Sequence, residues 1–166
     1  MTTHHDPATL MRTTFDAITA KDLDALSATH HDNVVENFLV LGPVEGKTAV
    51  RALFAELFAA APDLEFVTER VFAVNDTVAI GQWTMKGTLT GGSFQGIEPT
   101  GRMIEVRGID VMEFEDGLLR YNTIYYDGLS FARQVGLLPA TGSRGDRALL
   151  SAFNAATKAK ARFRRR

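Results

Sequence analysis

The chain contains no cysteine, which excludes disulfides, thiol nucleophiles, thiolate zinc sites and iron–sulfur clusters. Its apolar runs, such as Leu53–Ala55 and Ala59–Ala61, stop far short of the roughly 18 residues that a membrane span requires. The opening Met1-Thr2-Thr3-His4-His5-Asp6 lacks the basic region followed by an apolar one that marks an export signal. These absences predict a soluble, cytoplasmic protein with no membrane partner. Phosphate-loop and nucleophile-elbow patterns are also missing. Any chemistry must come from carboxylates, histidines, hydroxyls and amides.

What is present fits one ordinary domain: 166 residues, 45% of them hydrophobic and 23% charged, long enough for a sizeable core without covalent staples. The net charge of −2 hides an asymmetry. All 20 acidic residues lie before position 158, whereas Lys158, Lys160, Arg162, Arg164, Arg165 and Arg166 are six of the 18 basic ones. An acidic body argues against a nucleic-acid platform, which needs a basic face spread over the fold. The basic tail reads as a solvated or docking helix end.

The periodicity changes part-way along the chain. Leu10, Phe15 and Ile18 approximate a helical stripe over 9–20, a second short helix carries Leu23 and Leu26, and Val34–Leu41 reads as a strand ending at Gly42-Pro43. Val50, Leu53, Phe54, Leu57 and Phe58 define one face of a helix over 47–60, closed by Pro62. Beyond Leu64 the period is two. Segments 64–74, 77–89, 103–114 and 118–126 predict an antiparallel meander, with Thr90-Gly91-Gly92 opening a flexible loop at a pocket mouth. Asp127 reads as the cap of a helix through Phe131, Val135 and Leu138. The fold class is therefore α+β, with 1–139 as the domain and 140–166 as a helical basic extension whose stripe of Leu149, Ala152, Phe153 and Ala156 docks on the acidic body or on a second copy.

Alternation along 103–115 places Ile104, Val106, Gly108, Asp110, Met112 and Phe114 on one face and the charged residues on the other. Asp110 stands alone on the apolar face. A carboxylate there either has a raised pKa and a function or is paired structurally with Asn122 or Tyr126. Gly108 leaves room beside it for a ligand atom. On the first strand, alternation is apolar on both sides, so either Glu36 or Asn37 faces inward; the expectation that charged residues face solvent favours Asn37. An inward Glu36 would form a base and acid pair with Asp110, enough for enolisation beside a carbonyl. Phe15, Phe38, Trp83, Phe94 and Tyr126 suit a pocket for a flat apolar ligand. His4-His5 and His30-His31 do not converge with a third cluster, so no metal is expected, and His30 reads as a polar helix-end residue.

The series Gly46-Lys47-Thr48, Ala61-Pro62-Asp63-Leu64, Thr100-Gly101-Arg102, Gly108-Ile109-Asp110-Val111, Glu115-Asp116-Gly117, Tyr125-Tyr126-Asp127 and Gln134-Val135-Gly136-Leu137-Leu138-Pro139 resembles the SnoaL-like branch of the NTF2-like superfamily, over about residues 8–139. The branch includes polyketide ester cyclases, with ketosteroid isomerases and limonene-epoxide-type hydrolases as relatives. The resemblance implies an NTF2-like cone, a curved antiparallel sheet wrapped around the N-terminal helices and enclosing an apolar pocket, in a homodimer without cofactors. It implies a cyclase or isomerase acting on a carbonyl-containing apolar substrate, polyketide- or steroid-like, or else a non-catalytic pocket protein for such a molecule. Asp110 matches the isomerase oxyanion donor, where SnoaL-like cyclases carry a histidine, and Asn37 matches the isomerase base. The isomerase tyrosine falls near Thr14 or Phe15. The last-strand aspartate of cyclases and hydrolases falls on Ile124, and the hydrolases' middle-strand pair falls near Gln82 and Thr84. The implied site is Asp110, Asn37 and Tyr126, with Glu36 in the other register, and its pocket walls are Phe15, Phe38, Trp83, Val106, Met112, Asn122 and Ile124.

Overall fold

A computed structural model describes residues 6–163. Helices α1 (Pro7–Thr19) and α2 (Leu23–Ala28) open the chain. Each starts at an aspartate, Asp6 and Asp22, whose carboxylate accepts first-turn backbone N–H bonds, satisfying donors that a helix start leaves unpaired. Then come β1 (His30–Phe38), β2 (Gly42–Glu45), α3 (Lys47–Ala60), β3 (Glu65–Ala73), β4 (Val78–Thr88), β5 (Met103–Glu115), β6 (Leu118–Tyr126), α4 (Gly128–Val135) and α5 (Arg144–Phe163).

The six strands form one sheet in the order β2-β1-β6-β5-β4-β3. The expected meander covers β3 to β6, but β1 pairs parallel to β6, with Glu36 opposite Asn122. The chain thus returns its last strand beside its first, and the sheet is mixed. The strand expected to end at Gly42-Pro43 is a hairpin instead: β1 stops at Phe38 and Gly42–Glu45 folds back on it as β2. The sheet curves over α1 and α3. Met11, Phe15, Val50, Ala60, Ile104, Met112 and Leu119 lie at its centre with almost no exposure, and removing such apolar surface from water is the main stabilising term.

Two parts of the chain differ from their sequence reading. The loop after β4 is strapped down: the N–H groups of Thr90, Gly91 and Gly92 donate to the carbonyls of Ala60 and Ala59 at 3.0–3.2 Å, satisfying the C-terminus of α3. A Cβ on Gly91 would lie 1.8 Å from Ala59 O, so glycine is required there. The second difference is α5, which does not dock on its own body. Its elbow is built, with Asp146 accepting from Gly142 N at 2.9 Å and from Arg133 at 3.3 Å, but beyond it Leu149, Leu150 and Phe153 are exposed. The exposure expected of Arg164–Arg166 lies outside the described residues, as do His4 and His5. No helix among the described residues is long and apolar enough to cross a membrane.

Candidate active site

The inner face of β5 carries Asp110 between Gly108 and Met112, as the alternation requires, and its side chain is buried. Trp83 stands opposite Gly108 on β4. A Cβ at position 108 would sit 2.2 Å from Trp83 Cζ2, so the glycine admits the indole, not a ligand atom as its sequence reading had it. The ring lies across β5 and Trp83 Nε1 donates to Asp110 Oδ1 at 2.8 Å.

The parallel pairing of β1 on β6 sets Asn122 between two carboxylates. Its Nδ2 donates to Asp110 Oδ2 at 2.9 Å and to Glu36 Oε2 at 2.8 Å, using both amide hydrogens. Asn122 Oδ1 is buried without a partner. Glu36 Oε1 meets His30 Nε2 at 3.0 Å, and His30 Nδ1 lies 2.6 Å from Leu26 O at the end of α2. The chain of contacts is therefore Leu26 O, His30, Glu36, Asn122, Asp110, Trp83. Every side chain in it is at most 6% exposed.

This polar chain lies at one wall of a cavity that is otherwise apolar, bounded by Ile18, Phe38, Phe54, Leu57, Phe66, Met85, Val106, Met112, Ile124 and Tyr126, with Leu41, Phe94 and Phe131 also against it. Its volume is about 90 Å³. An engineered cavity of about 150 Å³ takes up benzene, so any ligand of two or more rings must displace side chains or extend through the mouth. Burial, and next the negative charge of Glu36, push the Asp110 carboxyl up to about 7, against the opposing hydrogen bonds from Asn122 and Trp83. Burial also pushes the Tyr126 hydroxyl up.

The cavity brings together Asp110, Tyr126, Phe38, Trp83, Val106, Met112, Asn122 and Ile124 from the sequence reading. It does not include Asn37 or Phe15. Glu36, not Asn37, is the inward residue, 2% exposed; the preference for a solvated carboxylate fails because Asn122 and His30 receive it inside. Phe15 lies deeper, its ring 5.2 Å from Phe66 and packed over Gly81. Tyr126 lines the cavity but is not a member of the polar chain. His30 was missed as a site residue: β1 is irregular between His30 and Val35, and Asp32 and Asn33 are exposed, so simple alternation does not connect His30 to Glu36. Among the described residues no group of three His, Asp or Glu side chains is placed to hold a metal ion.

The family model for SnoaL-like polyketide cyclase matches residues 8–135. The chain belongs to the SnoaL-like polyketide cyclase family. Its structure resembles that of a candidate SnoaL-like polyketide cyclase from Jannaschia sp. CCS1, with a TM-score of 0.71 and 25% identity over 81% of this chain and 94% of that one. TsrD from Streptomyces laurentii gives 0.67 and 25% identity over 78% and 94%. AclR, a candidate hydroxylase from Streptomyces galilaeus, gives 0.68 and 18% identity over 95% and 96%. The mixed α+β architecture of this SnoaL-like chain, helices first and then a curved, unclosed sheet, is that of the NTF2-like superfamily. No curated protein matches the chain.

Proposed function

We propose that this SnoaL-like chain is a cofactor-independent enzyme that enolises a flat, apolar, carbonyl-containing molecule, as in a cyclase or isomerase step. One observation carries the reading: two carboxylates, Glu36 and Asp110, share a single asparagine amide at the wall of an apolar cavity. Two such groups cannot both be ionised cheaply when water is excluded. One proton on the pair yields an acid and a base side by side, and environments that separate two carboxylates assign the roles. With Asp110 protonated, it donates a hydrogen bond to the carbonyl oxygen and stabilises the enolate charge. Glu36, ionised, takes the proton from the adjacent carbon and returns it elsewhere on the enol. The aliphatic and aromatic walls keep water from the enolate.

The competing reading, a pocket that only binds, draws on the same network, because His30 and Asn122 already occupy both oxygens of Glu36. Exchange of the C1 protons of 2-tetralone in D2O, followed by NMR, separates the two. We expect the parent protein to accelerate exchange, Asp110→Asn to slow it by about 10²-fold, and Glu36→Gln to abolish the acceleration. Binding of 2-tetralone without acceleration would establish the pocket reading and refute the enzymatic one.

A further inference from the structure

His30 is buried to 1% exposure and has no part in the chemistry above. Its surroundings nevertheless decide how the two carboxylates differ. Leu26 O can only accept, so the 2.6 Å contact requires a proton on His30 Nδ1. The same carbonyl accepts from Thr29 N and Thr29 Oγ1, and it belongs to the last turn of α2, where backbone carbonyls favour a cation. With Nδ1 protonated, the 3.0 Å contact between Nε2 and Glu36 Oε1 has two forms. Either an imidazolium donates to a carboxylate, or a neutral ring accepts from a carboxylic acid. Asn122 Nδ2 donates to the other oxygen of Glu36, which favours the carboxylate, and the carbonyl end of α2 favours the cation.

The asymmetry follows from position. His30 touches Glu36 on the side away from Asp110, whereas Asp110 receives only the neutral donors Trp83 Nε1 and Asn122 Nδ2. The titratable groups against the cavity are Glu36 from β1, Asp110 from β5 and Tyr126 from β6; α1 and α3 contribute Thr14, Ile18, Phe54 and Leu57. Among the described residues no cation stands beside Asp110 to compete for its proton.

We propose that His30 is a positioning residue that assigns the carboxylates their roles, holding Glu36 as the charged base and leaving the single shared proton on Asp110. This rests on the enolising reading for its use, but not for its test. During turnover the substrate carbon's proton passes to Glu36 Oε2 or Oε1 and back, while His30 keeps both ring protons; nothing is oxidised and nothing leaves.

The test is a carboxyl ¹³C and imidazole ¹⁵N NMR measurement on the ligand-free protein, with His30→Gln as the variant that retains a neutral donor toward Glu36 and removes the cation. In the parent at pH 6 to 7 both His30 nitrogens should be protonated, with Glu36 giving a carboxylate shift and Asp110 an acid shift. In His30→Gln the Glu36 signal should move toward the acid position and the Asp110 signal toward carboxylate. Unchanged carboxyl shifts in a folded His30→Gln overturn the proposal, and so does a neutral His30 ring in the parent, which needs no variant at all. In the 2-tetralone assay His30→Gln should slow exchange at least tenfold with KM within threefold and move the acid limb of the pH profile upward. No exchange by the parent would sink the enzymatic reading while the NMR result stands; full activity in His30→Gln beside inactive Glu36→Gln would sink only the role of His30.

Discussion

Asp110 makes a quantitative demand on stability. Its carboxyl is raised from the ordinary 3.8 to about 7, so the folded state holds a proton that the unfolded chain releases. Stability changes with pH in proportion to the protons bound by the unfolded state less those bound by the native state. Here the native state binds more, and the slope is negative. Below pH 4 both states are protonated and nothing is lost. Between 3.8 and 7 stability falls, and above 7 the loss levels off. The shift corresponds to a loss on the order of 4 kcal/mol, more than half of which falls between pH 5 and pH 8. Replacing Asp110 with Asn removes the titration. Urea unfolding of parent and Asp110→Asn at pH 5 and pH 8 should show the variant gaining on the order of 2–3 kcal/mol relative to the parent across that interval, whatever its absolute stability. Trp83, the one tryptophan of the chain, donates directly to Asp110, so its fluorescence should titrate with a midpoint near 7 in the parent and lose that step in the variant. Parallel pH–stability curves for the two proteins would refute the buried-acid argument.

Two further predictions come from the packing. Gly108→Ala forces a Cβ against the Trp83 ring, so it should destabilise the protein by about 1–3 kcal/mol and displace the indole from Asp110, read as a red-shifted Trp83 emission. We also propose a homodimer: Ile109 and Tyr125 are exposed on the outer sheet face, and Leu149 and Phe153 on α5 are exposed without packing on their own body, so sedimentation at micromolar concentration should give twice the 18.2 kDa chain mass. Cutting the chain after Pro139 should then lower Tm by no more than about 2 °C at concentrations where the protein is monomeric and weaken self-association; an unchanged sedimentation profile would show that α5 makes no intermolecular contact.

The parts of this fold that were legible in the sequence are those where one strong period operates. The face of α3 follows from Val50, Leu53, Phe54 and Leu57 at helical spacing, and all four are buried. Along β5 burial alternates residue by residue, with Glu105, Arg107, Glu113 and Glu115 on the outer face and mostly apolar residues on the inner one, which is why Asp110 could be found as the one carboxylate facing inward. β2 and the parallel β1–β6 pair were not legible. Four residues ending a strand carry no period of their own, and the parallel pairing joins positions 86 apart, such as Glu36 and Asn122, with α3 and four other strands between them rather than a direct strand–helix–strand unit to announce it.

The register of β1 shows why the site was harder to read than the fold. Val34 and Glu36 face inward while Val35 and Asn37 face outward or lie half-buried, so hydrophobicity alone leaves the two faces nearly equal. A buried carboxylate is excluded only when nothing receives it. His30 receives one oxygen of Glu36 and Asn122 the other, and the cost of burial falls accordingly. His30 meets Glu36 across an irregularity in β1, and Asn122, distant in sequence, is set opposite Glu36 on the neighbouring strand only by the fold. The same amide then reaches Asp110, so the interaction that makes an inward Glu36 tolerable is the one that couples it to the acid. Register and chemistry are in this sense one choice: a one-residue slip of β1 would expose Glu36, leave Asn122 with one carboxylate to serve, and remove from Asp110 the charge that helps keep it protonated.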